Sequence, residues 1–330
     1  MGIDALSPVP DQPGASETRV EFADNRLLVD LCGAHDANLA RIEAETGVQI
    51  VHRGNQLVLM GPQDVREEAA QVLKALYARL EAGQGLENGD IDAEMRLSNA
   101  VVPTESSAEG RIVIKTRKKQ ISPRSPAQNA YVRALLEKEL VFGIGPAGTG
   151  KTYLAVAVAV NMFISGRVDR IILSRPAVEA GERLGFLPGD MKDKVDPYMQ
   201  PLYDALGDFL PGKQLARLIE EKQIEIAPLA FMRGRTLSNA FVVLDEAQNA
   251  SAMQMKMFLT RLSEGSRMAI TGDRSQVDLP RGAVSGLHDA EGLLKSIDEI
   301  SFNYFTSRDV VRLKLVAKII DAYDKAAPLV

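Results

Sequence analysis

Eight consecutive residues, Gly145-Pro146-Ala147-Gly148-Thr149-Gly150-Lys151-Thr152, constrain this chain more than any other feature. They fill the pattern GxxxxGK[S/T]. In it, glycines let backbone N–H groups curl around phosphate oxygens, the lysine reaches the β- and γ-phosphates, and the final hydroxyl ligates Mg²⁺. The context is the one this chemistry needs. An apolar strand-like run, LVFGI, precedes the loop, and an apolar helical run, YLAVAVAVNMFI, follows it. The loop therefore ends on a helix N-terminus, whose uncapped N–H groups and positive dipole end favour an anion. Such a loop belongs at the carboxyl edge of a parallel α/β sheet.

The rest of the C-terminal half agrees. Leu140–Gly143, Arg170–Leu173, Phe241–Leu244 and Arg267–Thr271 are short apolar segments separated by helical stretches, and Ile300–Phe305 reads as a last strand. Buried runs spaced in this way predict a parallel sheet covered by helices on both faces. One of them, Phe241-Val242-Val243-Leu244, ends in Asp245-Glu246. Asp245 is placed to hold Mg²⁺ and Glu246 to orient and deprotonate an attacking water. Paired acids point to hydrolysis rather than to phosphoryl transfer onto a metabolite.

Three further signals lie around this pair. Asp245-Glu246-Ala247-Gln248 is the DEAQ form that resembles helicase superfamily 1. Thr271-Gly272-Asp273-Arg274-Ser275-Gln276 resembles that superfamily's GDxxQ motif, in which Gln276 would sense the γ-phosphate. Gln128, just before the helix NAYVRALLEK, resembles a Q-motif residue that reads adenine, and it also reads as an ordinary surface glutamine.

The N-terminal third has another character. Residues 1–18, rich in Pro and Gly, are expected to be disordered. Residues 19–85 alternate strands and helices. Asn25–Leu31 reads as a strand, Asp36–Glu45 as a helix closed by Gly47, Val48–His52 and Gln56–Met60 as a hairpin, and Val65–Leu80 as a long amphipathic helix. This resembles a small α+β KH-type domain. Gly33-Ala34-His35-Asp36 stands where that fold has its backbone-clamping GxxG loop. Asp36 replaces the second glycine and would repel phosphate, so a degenerate KH-like docking domain is the blander reading.

Residues 86–126 read as a linker, with a possible short helix near Ile91–Ala100. The linker ends in a basic strip, RIVIKTRKKQISPRSP, with six basic and no acidic side chains in a chain of net charge −5. The strip is either a nucleic-acid contact or a solvated linker.

Taken in order, Gln128, GPAGTGKT, Ser174-Arg175-Pro176-Ala177-Val178, Gly185-Phe186-Leu187-Pro188-Gly189-Asp190, Asp196-Pro197-Tyr198, Met232-Arg233-Gly234-Arg235, DEAQN, TGDRSQVDLP and Asp309-Val310-Val311-Arg312 resemble the PhoH-like ATPases. The KH-like N-terminus resembles their bacterial YbeZ branch. The resemblance spans roughly 20–325. It implies a RecA-like P-loop NTPase core at 127–330, ATP and Mg²⁺ as cofactors, and nucleotide binding by Gln128, Gly145, Pro146, Ala147, Gly148, Thr149, Gly150, Lys151 and Thr152. It further implies a homo-oligomeric ring, with a hexamer favoured, RNA as a partner, and cooperation with a YbeY-type endoribonuclease and the ribosome.

Only about 55 residues follow Asp273, too few for a second RecA-like domain to close the site. A neighbouring subunit is therefore expected to supply an arginine. Arg308 and Arg312 are the candidates, with Arg233 and Arg235 as rivals for that role or for RNA contact. Glu179–Tyr203, rich in Gly, Pro and acids, reads as an insertion facing nucleic acid or a subunit, or else as a helical lid on the core. Met253, Met255 and Met257 read as core or interface.

Composition excludes other classes. The longest apolar run, Tyr153–Ile164, is interrupted by Asn161 and falls far short of the ~20 residues that span a bilayer. No secretory signal is visible, so a cytoplasmic protein is expected. Cys32 is the only cysteine and the three histidines are far apart in sequence, which argues against a Cys/His zinc site. Two functions fit. One is a hydrolase that remodels RNA or ribonucleoprotein, and the other is a nucleotide-switched docking module without unwinding activity. A small-molecule kinase is disfavoured by the paired acids.

Overall fold

The computed structural model describes residues 17–98, 112–176, 191–280 and 282–310, in a chain that divides into two compact units near residue 105. The first unit runs β1 (Glu17–Glu21), α1 (Asn25–Cys32), α2 (Ala37–Thr46), β2 (Gln49–Arg53), β3 (Gln56–Met60), α3 (Gln63–Glu81) and α4 (Asn88–Ser98). Its antiparallel sheet has the order β1-β3-β2. Helices pack on it through Leu28, Leu31, Ile42, Leu73 and Leu76, against Leu57 and Leu59 of the central strand.

Two expectations fail here. Asn25–Leu31 is a helix, not a strand. The Asp24 carboxylate caps it by accepting from the Arg26 N–H, and Leu28, Leu31 and Cys32 are buried at helical spacing while Val29 stands exposed. The strand lies earlier, and it begins at Glu17 and Thr18, inside the segment expected to be disordered. The hairpin and the two later helices form as read. Gly47 closes α2 in the left-handed conformation, φ 76°.

The second unit begins before residue 127. β4 (Ile114–Lys115) and β5 (Gln120–Ile121) form a small hairpin, followed by α5 (Pro126–Glu137), β6 (Leu140–Ile144), α6 (Lys151–Ile164), β7 (Arg170–Arg175), α7 (Met191–Phe209), α8 (Gly212–Glu220), β8 (Ile224–Pro228), β9 (Ala240–Leu244), α9 (Ala252–Leu259), β10 (Arg267–Gly272), α10 (Gly286–Leu294) and β11 (Ile300–Tyr304). All six long strands are parallel, in the order β11-β6-β10-β9-β7-β8.

Alternate residues of each strand feed two cores. Val141, Ile171, Leu173, Phe241, Val243 and Ala269 join the core with α5, α6 and α7. Phe142, Ile144, Ile172, Val242, Leu244 and Ile270 join the other, with α9 and α10. The result is a three-layer α/β sandwich of the RecA-like P-loop kind, in which the Asp-Glu strand β9 is separated from the P-loop strand β6 by one strand, β10. Strand β8, which the sequence reading did not include, is an edge strand. Its Glu225 breaks the apolar run and faces a partner, Arg235.

The stretch read as a linker is, from 112 onward, part of this unit. Ile114 is buried in the core of α5, α6 and α7. The Asn161 amide donates to the Lys115 carbonyl. Lys118 donates to the Gly207 carbonyl, and Lys119 pairs with Asp208 over the rings of Tyr153 and Phe209. Two of the strip's six cations are thus spent on α7.

Candidate functional site

The P-loop crosses from β6 to α6 at the sheet's carboxyl edge. Gly145 sits at φ 154°, and a Cβ there would lie 2.5 Å from the Phe305 carbonyl, so only glycine passes. Gly148 and Gly150 are left-handed, at φ 83° and 79°. Gly150 is the N-cap of α6 and makes no side-chain cap, which leaves the first-turn N–H groups to an anion.

Lys151, buried, folds its ammonium onto the loop, donating to the carbonyls of Gly145 (2.6 Å) and Pro146 (2.7 Å). Thr149 Oγ1 donates to the same Pro146 carbonyl. Burial lowers the Lys151 pKa below the ordinary lysine value, and the carboxylates of Asp273, Asp245 and Glu246 push it back up.

Asp245 and Glu246 follow β9. The Asp245 Oδ1 accepts from Thr152 Oγ1 (2.6 Å) and from Thr271 Oγ1 (2.9 Å). Burial raises its pKa above the usual carboxylate range, against the pull of Arg175 and the Thr152 hydroxyl. A buried carboxylate touching the P-loop hydroxyl is the donor set a hard divalent cation takes, so the residues present fit Mg²⁺. Glu246 has a left-handed backbone, φ 52°. Its Oε1 accepts from Arg175 (2.7 Å) and its Oε2 from the Gln248 amide (2.5 Å).

One cleft of about 250 Å³ joins these groups. Ala147, Gly148, Gly150, Lys151, Thr152, Asp245, Glu246, Gly272, Asp273 and Gln276 line it. Lys151 is the one cation among the described residues that line this cleft. Five of the side chains gathered here, Lys151, Thr152, Asp245, Glu246 and Gln276, are those the sequence motifs predict.

Other expected residues lie elsewhere. Gln128 is buried beneath the loop rather than on the surface. Its amide donates to the Thr149 carbonyl (2.9 Å) and accepts from the Arg124 N–H (2.6 Å), so it braces the P-loop. Arg308 is exposed on the 3-10 turn Ser307–Asp309 that follows β11. Arg312 lies outside the described residues, as do residues 179–190 of the expected insertion. Arg235 is committed to a bidentate pair with Glu225, 2.7 Å on each nitrogen, which removes it from the rival set for an arginine in trans. Arg233 remains exposed. At the far end of the expected insertion, Met199 and Leu202 are buried in the core, so that part of α7 is a packed helix.

Three groups at the site have roles that no sequence motif predicts. Arg175, at the end of β7, reaches both acids. Gln248 bridges two loops, donating to Glu246 and accepting from the Asp273 N–H (3.0 Å). Thr271 orients Asp245. The Ser-Arg and Gly-Asp pairs at strand ends were the available signal, but the strand order that makes them neighbours of Asp245 is not written locally.

The family model of PhoH-like proteins matches residues 120–324. Over 299 residues the chain is 50% identical to a PhoH-like protein of Bacillus subtilis, covering 90% of this chain and 94% of that one. The chain belongs to the PhoH-like family. A PhoH-like protein of Mycobacterium tuberculosis is 48% identical over 302 residues, 90% of this chain and 85% of the relative. Protein PhoH of Escherichia coli is 45% identical over 205 residues, 62% of this chain and 58% of the relative. Among solved structures, the SWI2/SNF2 ATPase core of Sulfolobus solfataricus in complex with dsDNA is similar at 13% identity and TM-score 0.36, over 60% of this chain and 47% of that one. That likeness is shallow, and the P-loop assignment rests on the PhoH-like chain's own sheet order and loop. No helix among the described residues is long and apolar enough to cross a membrane.

The structure also revises one exclusion. Cys32, Asp36 and His52, remote in sequence, bring ligand-type atoms within 4.8 Å of one another in the first unit. Burial, with Asp36 second, pushes the Cys32 thiol up to about 11.

Proposed function

We propose that this protein is an Mg²⁺-dependent ATP hydrolase that couples hydrolysis to remodelling RNA or ribonucleoprotein, and that it works as a homo-oligomeric ring. The observation that carries the hydrolase reading is the single cleft in which Lys151, Thr152, Asp245, Glu246 and Gln276 meet around the P-loop. The loop N–H groups and the α6 N-terminus hold the phosphates. Lys151 gives up the carbonyls of Gly145 and Pro146 to bind them, and its charge offsets theirs. Thr152 and Asp245 would hold Mg²⁺, which when bound neutralises charge on the phosphate oxygens. Glu246 accepts the proton of the attacking water, and Gln276 lies where it can sense the γ-phosphate.

With Lys151 the one cation among the described residues that line the cleft, charge developing in transfer is met by an arginine from a neighbouring subunit. Arg308, exposed after the last core strand, supports that reading. The RNA reading draws on the family resemblance, on exposed Lys115 and Arg117 of the hairpin, and on the β1-α1-α2-β2-β3-α3 order of the first unit, which is KH-like with its loop between α1 and α2. Exposed Asp36 in that loop would repel phosphate, which argues against RNA contact there.

Steady-state ATP turnover by the purified chain, with and without single-stranded RNA, tests this. RNA stimulation, loss on Glu246→Gln, and rescue of Arg308→Ala when mixed with Glu246→Gln protein are expected. An RNA-insensitive rate would move the assignment to a nucleotide-switched docking module for an endoribonuclease or the ribosome.

A further inference from the structure

A general base must turn a lone pair toward water, and each oxygen of Glu246 already accepts one hydrogen bond that fixes where its remaining lone pair points. Arg175 Nη2 donates to Oε1 at 2.7 Å and Gln248 Nε2 to Oε2 at 2.5 Å. The backbone of Glu246, at φ 52°, lies in a region that non-glycine residues enter at a cost of roughly 1 kcal/mol or more, so the surroundings hold it there. The stronger of the two restraints is the guanidinium, because both partners of its hydrogen bond are charged, whereas the Gln248 amide is neutral.

Arg175 also connects the base to a distant element. Its strand neighbours that of the acids, in a register that sets Ser174 opposite Leu244 and Arg175 level with Asp245. The Asp245 N–H donates to the Ser174 carbonyl, fixing that level. The same nitrogen that holds Glu246 lies 3.5 Å from Asp245 Oδ2. The other terminal nitrogen donates to the Tyr198 carbonyl of α7 at 2.9 Å. One planar fork therefore ties the catalytic acids to α7, the helix on which the basic hairpin also rests through Lys118 and Lys119.

We propose that Arg175 is a positioning residue, a latch that keeps Glu246 from the attacking water until the contact with α7 is given up. The inference rests on the hydrolase reading above and adds a restraint to it. Breaking the latch by mutation raises unstimulated turnover, because a fraction of the protein otherwise held inactive becomes competent.

The test compares the full-length chain with Arg175→Ala, Arg175→Lys, Glu246→Gln and the Arg175→Ala/Glu246→Gln double variant. ATP turnover is measured without RNA across ATP concentrations, with ADP binding and thermal melting alongside. Arg175→Ala is expected to raise kcat about tenfold, the ratio one charge-assisted hydrogen bond maintains. KM and ADP affinity stay within about twofold, a split that loss of packing would not produce. Arg175→Lys, with the charge but no fork to span both partners, falls between. The double variant is inactive, which routes the gain through Glu246. If Arg175→Ala does not fold, the lysine variant decides by whether its kcat rises.

An Arg175 variant that melts and binds ADP normally but turns over no faster than the unmodified chain overturns the latch. Turnover that is lost in Glu246→Gln but unchanged in Arg175→Ala removes the latch and leaves the hydrolase standing. Absence of turnover in every protein removes both.

Discussion

Asp245 shows how a single residue trades stability for chemistry. Its carboxylate is buried and its pKa is raised, chiefly by desolvation. An acid whose folded pKa lies above its unfolded one penalises the folded state once it is ionised in both. The penalty is full above the raised pKa and is relieved as pH falls through it. Asp245→Asn keeps an acceptor for Thr152 and Thr271 and removes the charge. It should raise the melting temperature at pH 7 by roughly 2–4 °C, as about 1 kcal/mol does for a unit of this size, while turnover falls by ~10²-fold or more. A melt and a steady-state assay on one preparation check both. A variant no more stable than its parent would show that the hydroxyls and Arg175 already offset the burial. Residues of this kind were legible in the sequence because a strand ending in two acids beside a P-loop has one common use. Arg175 and Gln248 were not, because what they do depends on which strand lies next to which.

At the scale of elements, the P-loop is held from below by the end of the chain's last core strand. Phe305 donates to the Ile144 carbonyl, and its own carbonyl fills the space beside Gly145. Asp309 then accepts from the Ser125 hydroxyl at 2.7 Å, Ser125 caps α5, and Gln128 of α5 donates to Thr149. This buried chain joins β11, α5 and the loop. Gly145→Ala forces a Cβ into a backbone carbonyl at a positive φ and should cost about 2–4 kcal/mol in urea unfolding, together with nucleotide binding. Ser125→Ala removes a cap and strands one Asp309 oxygen, and is expected to cost about 1–2 kcal/mol. Nucleotide affinity, read by titration of a fluorescent ADP analogue, should weaken with it. An unchanged affinity would mean that the loop keeps its shape without the brace. The misread strand at Asn25–Leu31 belongs to this scale too. Three apolar residues in a row fit either period, and the capping Asp24 and the exposed Val29 decide for the helix.

For the whole molecule, the second unit starts at the hairpin rather than at α5, so a fragment beginning at 112 should fold and bind ADP. One beginning at 127 loses Ile114 from the core and Lys119 from the rings of Tyr153 and Phe209, and should be less stable by roughly 2 kcal/mol or more. Urea midpoints of the two fragments measure the difference, and equal midpoints would return the hairpin to the status of a linker. By itself the sequence determined the parallel α/β class, the phosphate loop and the acids that face it, because those are written in contiguous residues whose period and order leave little choice. It left the edge strand β8, the docking of the basic strip, the brace through Gln128 and the grip of Arg175 on Glu246 to the tertiary structure. Each of these joins residues from separate elements, and only the closed sheet, which fixes strand order and register at once, brings them within hydrogen-bonding distance.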